Sequence, residues 1–145
     1  MTYELTMSRL IPATPDEVFD AYTDAEKQKI WFTILDTEPS IIETDVDLRV
    51  GGHITNVWGK NRDELYRETN AIRVFDRPHR LVTSSSGSSP DGMTMEIEIT
   101  FAEVEGGTLM TVVQSGFPTE ELRDFFTKYA WVGAFDRITA FVQRG

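Results

Sequence analysis

The chain has 145 residues, of which 40% are hydrophobic and 26% are charged, and these ordinary globular values exclude an intrinsically disordered protein. Its 24 acidic and 14 basic residues give a formal net charge of −10, which disfavours nucleic acid and anionic membrane surfaces as partners. The sequence contains no cysteine, so disulfides, thiol chemistry and cysteine-ligated zinc are excluded.

The N-terminal part of the sequence predicts one strand followed by two short helices. Tyr3–Ile11 alternates loosely between polar and apolar residues, which is typical of a strand. Thr14 is a good helix N-cap because a proline follows it and a glutamate stands three residues later. Asp24 is a second cap, and we expect the helix that it opens to extend to about Trp31.

Six further strands are predicted from alternation and turn signals. Their ranges are Ser40–Val50, His53–Trp58, Leu65–Asp76, Arg80–Ser86, Met93–Glu103 and Leu109–Ser115. In Met93–Glu103, large apolar residues alternate with threonine and glutamate, so one side of the strand is buried and the other contacts water. This pattern predicts an antiparallel sheet. The parity of the last strand is ambiguous, and we assign Met110, Val112 and Gln114 to the inner face although Leu109 is nearly as apolar.

Residues 118–143 contain no turn signal and predict a long C-terminal helix capped by Thr119. At about 100° per residue, its apolar residues form two clusters on nearly opposite sides. The first cluster is Leu122, Phe125, Phe126 and Tyr129, and the second is Trp131, Phe135, Ile138 and Val142. A helix on one sheet should keep one apolar stripe. Three explanations are open: a kinked or separate first segment, a lid over a cavity, or a surface that pairs two subunits.

The sequence has no sign of export or membrane insertion. Its N-terminus lacks a basic segment followed by an apolar core, and no apolar run approaches the ~18 residues of a membrane span. We therefore expect a cytoplasmic protein with a single domain over residues 1–145, which binds neither membrane nor nucleic acid.

Eight short pieces, in the same order along the chain, resemble the START-like (SRPBCC) superfamily. They lie at residues 9–13 (RLIPA), 15–21 (PDEVFDA), 23–25 (TDA), Trp31, 47–52 (DLRVGG), 78–83 (PHRLVT), 107–117, and Trp131 with Phe135 and Ile138. The chain is most similar to the branch of the C-terminal domain of activators of heat-shock protein 90 ATPase. The resemblance implies an α+β helix-grip fold. In this fold an antiparallel sheet of about seven strands and two short helices enclose an apolar cavity against a long C-terminal helix.

Strand parity and family patterns select the residues expected to bind a ligand in that cavity. They are Trp31, Asn56, Trp58, Tyr66, Glu68, Met95, Gln114, Phe125, Tyr129 and Trp131. A carboxyl group buried there would have a raised pKa, which makes Glu68, with Tyr66, the candidate for acid–base catalysis. The alternative is structural, in which Glu68 forms an ion pair with Arg67, Arg73 or another basic side chain at the rim.

The sequence offers no established catalytic or metal-binding set. His53 and His79 are the only histidines, no HExxH spacing exists, and no serine lies in a nucleophile-elbow pattern. We therefore expect no metal and no cofactor.

The family resemblance implies several functions, because its members include ligand binders, cyclase-like enzymes and co-chaperone domains. We favour binding of a small hydrophobic or aromatic molecule between the sheet and the C-terminal helix. The alternatives are a polyketide-cyclase or dehydratase-like enzyme that uses acid–base residues of the cavity, and a protein-binding stress or chaperone regulator. A homodimer through Leu122, Phe125, Phe126 and Tyr129 also stays open.

Overall fold

A computed structural model describes residues 2–33, 41–59, 63, 65–85 and 95–143 of the chain. Its strands are β1 (Tyr3–Ile11), β2 (Ile41–Asp47), β3 (His53–Gly59), β4 (Leu65–Asp76), β5 (Arg80–Ser85), β6 (Met95–Val104) and β7 (Gly107–Phe117). Its helices are α1 (Pro15–Thr23), α2 (Ala25–Thr33), α3 (Glu120–Phe125) and α4 (Trp131–Gln143), with a π-helical turn (Phe126–Ala130) between α3 and α4.

The seven strands form one sheet in the order β1-β7-β6-β5-β4-β3-β2, and all neighbouring pairs are antiparallel. The helices pack on one face of this sheet, so the predicted helix-grip fold is confirmed.

The two short helices begin at the predicted caps. The Thr14 hydroxyl accepts a hydrogen bond from the backbone N–H of Glu17 at 3.2 Å, and the Asp24 carboxylate accepts two from the first turn of α2 at 3.0 and 3.1 Å.

Burial follows the predicted parity of the strands. In β6, Ile97, Ile99 and Phe101 are buried, while Glu96 on the alternate face is exposed. In β7 the ambiguity is resolved, because the inner face carries three buried residues and the outer face carries an exposed leucine. The buried three are Met110, Val112 and Gln114, and the exposed one is Leu109.

A π turn explains why the C-terminal helix changes its apolar side. The N–H of Trp131 donates to the carbonyl oxygen of Phe126, five residues earlier instead of four. The extra residue changes the direction of all following side chains by about 100° around the helix axis, which is the rotation of one residue. The Thr127 hydroxyl also donates to the carbonyl oxygen of Arg123 at 2.9 Å, which satisfies an acceptor beside the irregular turn.

Because of this turn, the first apolar cluster divides between core and surface. Leu122 and Phe126 pack against the core, and the ring of Phe126 lies 5.2 Å from that of Phe117. Phe125 and Tyr129 are 54% and 65% exposed and contact each other. The structure therefore agrees with the first explanation, a kinked or separate first segment, for Leu122 and Phe126, which are two of the four residues in the cluster. The predicted pairing of subunits through this cluster stays a prediction, with only two rings available at the surface.

Deletion of Lys128 should be tolerated, because it removes an exposed residue from the π turn and lets the helix continue as a regular α-helix. The residues of α4 would keep their side toward the sheet. Deletion of Gly133 is the control, since it turns either Trp131 or Phe135 about 100° away from the core. We expect the control to lose roughly 3–5 kcal/mol of unfolding free energy, as for truncation of a buried aromatic side chain. Urea unfolding followed by circular dichroism measures both, and equal destabilisation would contradict the proposed role of the π turn.

Candidate functional site

A cavity of about 170 Å³ lies between the inner face of the sheet, α2 and the C-terminal helix. Its apolar lining residues are Trp31, Ile54, Ile97, Phe126, Ala130, Trp131 and Ala134. Its polar lining residues are Tyr22, Gln28, Asn56, Glu68, Asn70, Thr83 and Gln114. The described lining is thus divided evenly between apolar and polar residues, and its walls are mainly apolar.

The structure brings five of the ten predicted ligand-binding residues together around this cavity. They are Trp31, Asn56, Glu68, Gln114 and Trp131. The side chains of Trp58 and Tyr66 lie outside the described residues, although both positions belong to strands.

Met95, Phe125 and Tyr129 do not line the cavity, which corrects their predicted placement. The π turn directs Phe126 toward the sheet and leaves Phe125 and Tyr129 at the surface. Met95 is partly buried against the core, and its sulfur accepts a hydrogen bond from the Gln114 amide at 3.5 Å. Met95 therefore contacts a lining residue, Gln114, and is not itself part of the lining.

Several lining residues were not identified from the sequence. Tyr22 lies in α1 and Gln28 in α2, and neither has a sequence signal that places it at a cavity. Asn70 shares the parity of Glu68, two residues earlier in β4, and this signal was sufficient to include it. Ala130 and Ala134 carry too little side chain to be recognised, and they line the cavity because they leave space there.

Two tryptophans form part of the wall, and each is held by a hydrogen bond from its indole N–H. Trp31 donates to the carbonyl oxygen of Ala21 at 2.6 Å, and Trp131 donates to the side-chain oxygen of Gln114 at 2.7 Å. Tyr22 stacks on Trp31 with ring centroids 6.3 Å apart. The aromatic wall is therefore fixed in orientation before any ligand binds.

A chain of amides connects α2 to the sheet. The Asn56 amide donates to the side-chain oxygen of Gln28 at 2.8 Å and to the Thr44 hydroxyl at 3.2 Å. The Gln28 amide in turn donates to the carbonyl oxygen of Tyr22. These amide N–H groups find their acceptors within the protein, which indicates that they shape the cavity and position α2.

Glu68 is the charged residue of the described lining, and it has no counter-charge there. Its carboxylate accepts a hydrogen bond from the Asn70 amide at 3.2 Å, and no described residue forms an ion pair with it. Arg67 is exposed, and Arg73 donates to the Ser84 hydroxyl at 2.9 Å. Within the described ranges, the alternative of an ion pair with Arg67 or Arg73 is therefore wrong.

Burial of the Glu68 carboxyl raises its pKa above the ordinary value, and the hydrogen bond from Asn70 opposes this rise only in part. The pKa of the Tyr22 phenol is also raised, first by burial and then by the negative charge of Glu68. The two groups are therefore electrostatically coupled across the cavity. Each shift extends the pH range over which the group is neutral, and the Glu68 carboxyl is ionised once the pH exceeds its raised pKa.

The side-chain oxygen of Asn70 is buried and has no hydrogen-bond partner. Buried acceptors are nearly always satisfied, since leaving one unpaired costs roughly 1–3 kcal/mol. The Asn70 amide is bonded to the Glu68 carboxyl, so an unpaired buried oxygen and a carboxyl group without a described counter-charge lie at the same end of the cavity.

Residues 12–143 match the family described as Activator of Hsp90 ATPase homolog 1-like protein. The chain belongs to this family. The match confirms the resemblance that the sequence motifs indicated.

Solved structures share the fold of this AHSA1-like chain along nearly its whole length. They include an AHSA1-like protein from Aeromonas hydrophila, with 20% identity, a TM-score of 0.77 and coverage of 98% of this chain and 93% of that chain. Protein MLL2253 from Mesorhizobium loti has 15% identity, a TM-score of 0.78 and coverage of 98% of both chains. SA2116 from Staphylococcus aureus, a protein of unknown function, has 19% identity, a TM-score of 0.74 and coverage of 99% and 95%. At these identities the similarity shows the fold alone. A search of curated proteins found no match.

The described residues of the AHSA1-like chain contain neither a metal-binding cluster nor a membrane-spanning helix. Among the described residues, no group of three or more His, Asp or Glu side chains could hold a metal ion. His53 instead contacts Asp45, with its Nε2 2.9 Å from the carboxylate. In the same part of the chain, no helix is long and apolar enough to cross a membrane.

Replacement of Glu68 by glutamine should stabilise the protein at neutral and basic pH. A pKa raised in the folded state means that stability is fully present below the ordinary value of 4.5 and is lost as pH rises through the folded-state pKa. Glutamine has nearly the same shape as glutamate, and it carries no charge that burial would remove from water. The melting temperature should therefore rise by roughly 2–4 °C near pH 8 and be unchanged in acid. Thermal unfolding across pH measures this effect. Glu103→Gln, at an exposed position of β6, is the control, and parallel pH profiles for all three proteins would contradict the buried charge.

Proposed function

We propose that this AHSA1-like protein binds a small molecule that has an apolar body about the size of one aromatic ring and a polar group at one end. The observation that supports it is a cavity with an aromatic wall fixed by internal hydrogen bonds and unsatisfied acceptors at one end. Concave sites with apolar walls and a few oriented polar groups are the usual form of ligand sites.

The size of the cavity sets the size of the ligand. An apolar cavity of about 150 Å³ can hold benzene. The described residues enclose about 170 Å³, which suits a single ring with a short substituent. Ala130 and Ala134 define this space, because longer side chains at their positions would project into it.

A second candidate function is acid–base catalysis by Glu68 on a molecule bound in the same cavity. The raised pKa of this buried carboxyl supports it, because such a group can hold and release a proton closer to neutral pH. Titration of Glu68 by carboxyl-detected NMR tests the proposal. A pKa at the ordinary value would remove catalysis by this carboxyl and leave binding intact.

The family description names activation of the Hsp90 ATPase, and a role as a chaperone regulator stays a prediction. No contact, patch or charge cluster among the described residues favours a chaperone over other protein partners. A cytoplasmic location likewise stays a prediction.

Filling the cavity should abolish binding. Ala134→Leu places a branched side chain in the cavity, and we expect it to weaken binding of 2-phenylethanol and related neutral single-ring probes by at least about tenfold. Ala140→Leu is the matched control on the same helix, since Ala140 does not line the cavity. The indole N–H signals of ¹⁵N-labelled protein report binding next to Trp31 and Trp131. Failure of all single-ring probes to bind, whether neutral or cationic, or equal binding to both variants, would contradict the proposal.

A further inference from the structure

The polar end of the cavity holds hydrogen-bond acceptors that the described residues do not fully satisfy. Glu68 and Asn70 lie two residues apart in β4 and therefore on the same face of the sheet. The Asn70 amide is already used in its bond to Glu68, which leaves its oxygen buried and unpaired. A ligand that fits this end must therefore supply donors.

The same end carries a negative charge with no described cation near it. The described lining contains no lysine, arginine or histidine, and Arg73 is bonded to Ser84 on the opposite face of the sheet. Charge burial without a partner is costly, and a group of opposite charge recovers much of that cost. The formal net charge of −10 also favours a cationic ligand over an anionic one.

Two other amides of the cavity do not compete for the ligand. The oxygen of Gln114 accepts from Trp131, and the oxygen of Gln28 accepts from Asn56. Asn56 lies directly opposite Glu68 in the β3–β4 pair, so its own side-chain oxygen adds to the acceptors at the Glu68–Asn70 end. The aromatic rings of Tyr22 and the two tryptophans of the wall provide electron-rich faces, which also attract cations.

We propose that the Glu68–Asn70 end recognises a protonated amine, so that the ligand is an ammonium group carried on an apolar body of about one ring. This inference rests on the proposed function and specifies its ligand class. The three N–H groups of a primary ammonium match the carboxylate of Glu68 and the oxygen of Asn70. The apolar body occupies the space between the tryptophans.

A competing arrangement uses only groups of the protein. If Glu68 is protonated and the Asn70 amide is turned over, the carboxyl can donate to the amide oxygen. The cavity then presents a neutral polar end and has no reason to prefer a cation. The two arrangements predict opposite selectivity between an amine and an alcohol of the same shape.

Phenethylamine and 2-phenylethanol are suitable probes, since they differ only in the terminal amine or hydroxyl. Near pH 8 a primary alkylamine is still protonated. We expect wild-type protein to bind the amine at least about tenfold more tightly than the alcohol in calorimetric or NMR titrations. Glu68→Gln should bind both within about twofold, and Asn70→Ala should weaken the amine more than the alcohol. Glu103→Gln removes an equal charge at the surface and should keep the preference of the wild type.

The results separate this inference from the proposed function. If the alcohol binds as tightly as the amine, or if Glu68→Gln keeps the preference, recognition of an amine is wrong and the binding cavity stands. If neither probe binds to the wild type, both proposals fail. Glu68→Gln should fold at least as stably as the wild type, and a melting curve of each variant shows whether lost binding reflects unfolding.

Discussion

The C-terminal helix has to present its apolar residues to a single sheet, although its sequence places them on two sides of a regular α-helix. The π turn at Phe126–Ala130 resolves this conflict by holding one residue more than an α-helical turn. Without it, packing of Leu122 and Phe126 would turn Trp131 away from the sheet. The cavity depends on this correction, because Phe126 and Trp131 both contribute to its wall. Irregular turns of this kind are frequent at functional sites, and here the turn also borders the cavity.

The cavity combines a rigid aromatic wall with an unsatisfied polar end. Its tryptophans and most of its amides are held by hydrogen bonds within the protein, so they define shape and need no ligand. Glu68 and Asn70 are different, because burial has removed water from them without supplying a full set of partners. Such groups reduce stability and are expected where they serve binding or catalysis. This contrast between satisfied and unsatisfied groups is what distinguishes a site from ordinary core.

Membership of the AHSA1-like family establishes the fold and leaves the activity open. Domains with one fold support unrelated functions, so function has to be argued from the site. The three solved structures named above are 15–20% identical to this chain, and they show how widely the fold tolerates sequence change. The charged and amide residues of the cavity are therefore the part of this chain that bears most directly on its ligand.

Sequence patterns alone determined most of the architecture. Alternation gave the strands, the caps at Thr14 and Asp24 gave the starts of two helices, and parity placed Glu68 on the inner face, because these features follow from local geometry. The same patterns located the change of apolar side in the C-terminal helix but not its cause, since hydrogen bonding five residues back has no local sequence signature.

Only the tertiary structure decided which residues meet. Tyr22 and Gln28 reach the cavity because α1 and α2 cross the open side of the sheet, and Ala134 matters through the space that it leaves. The absence of a described ion-pair partner for Glu68, and the unpaired oxygen of Asn70, depend on where arginines of neighbouring positions point. Strand parity assigns a face to each residue, but partners and empty space are set by elements that are distant in sequence.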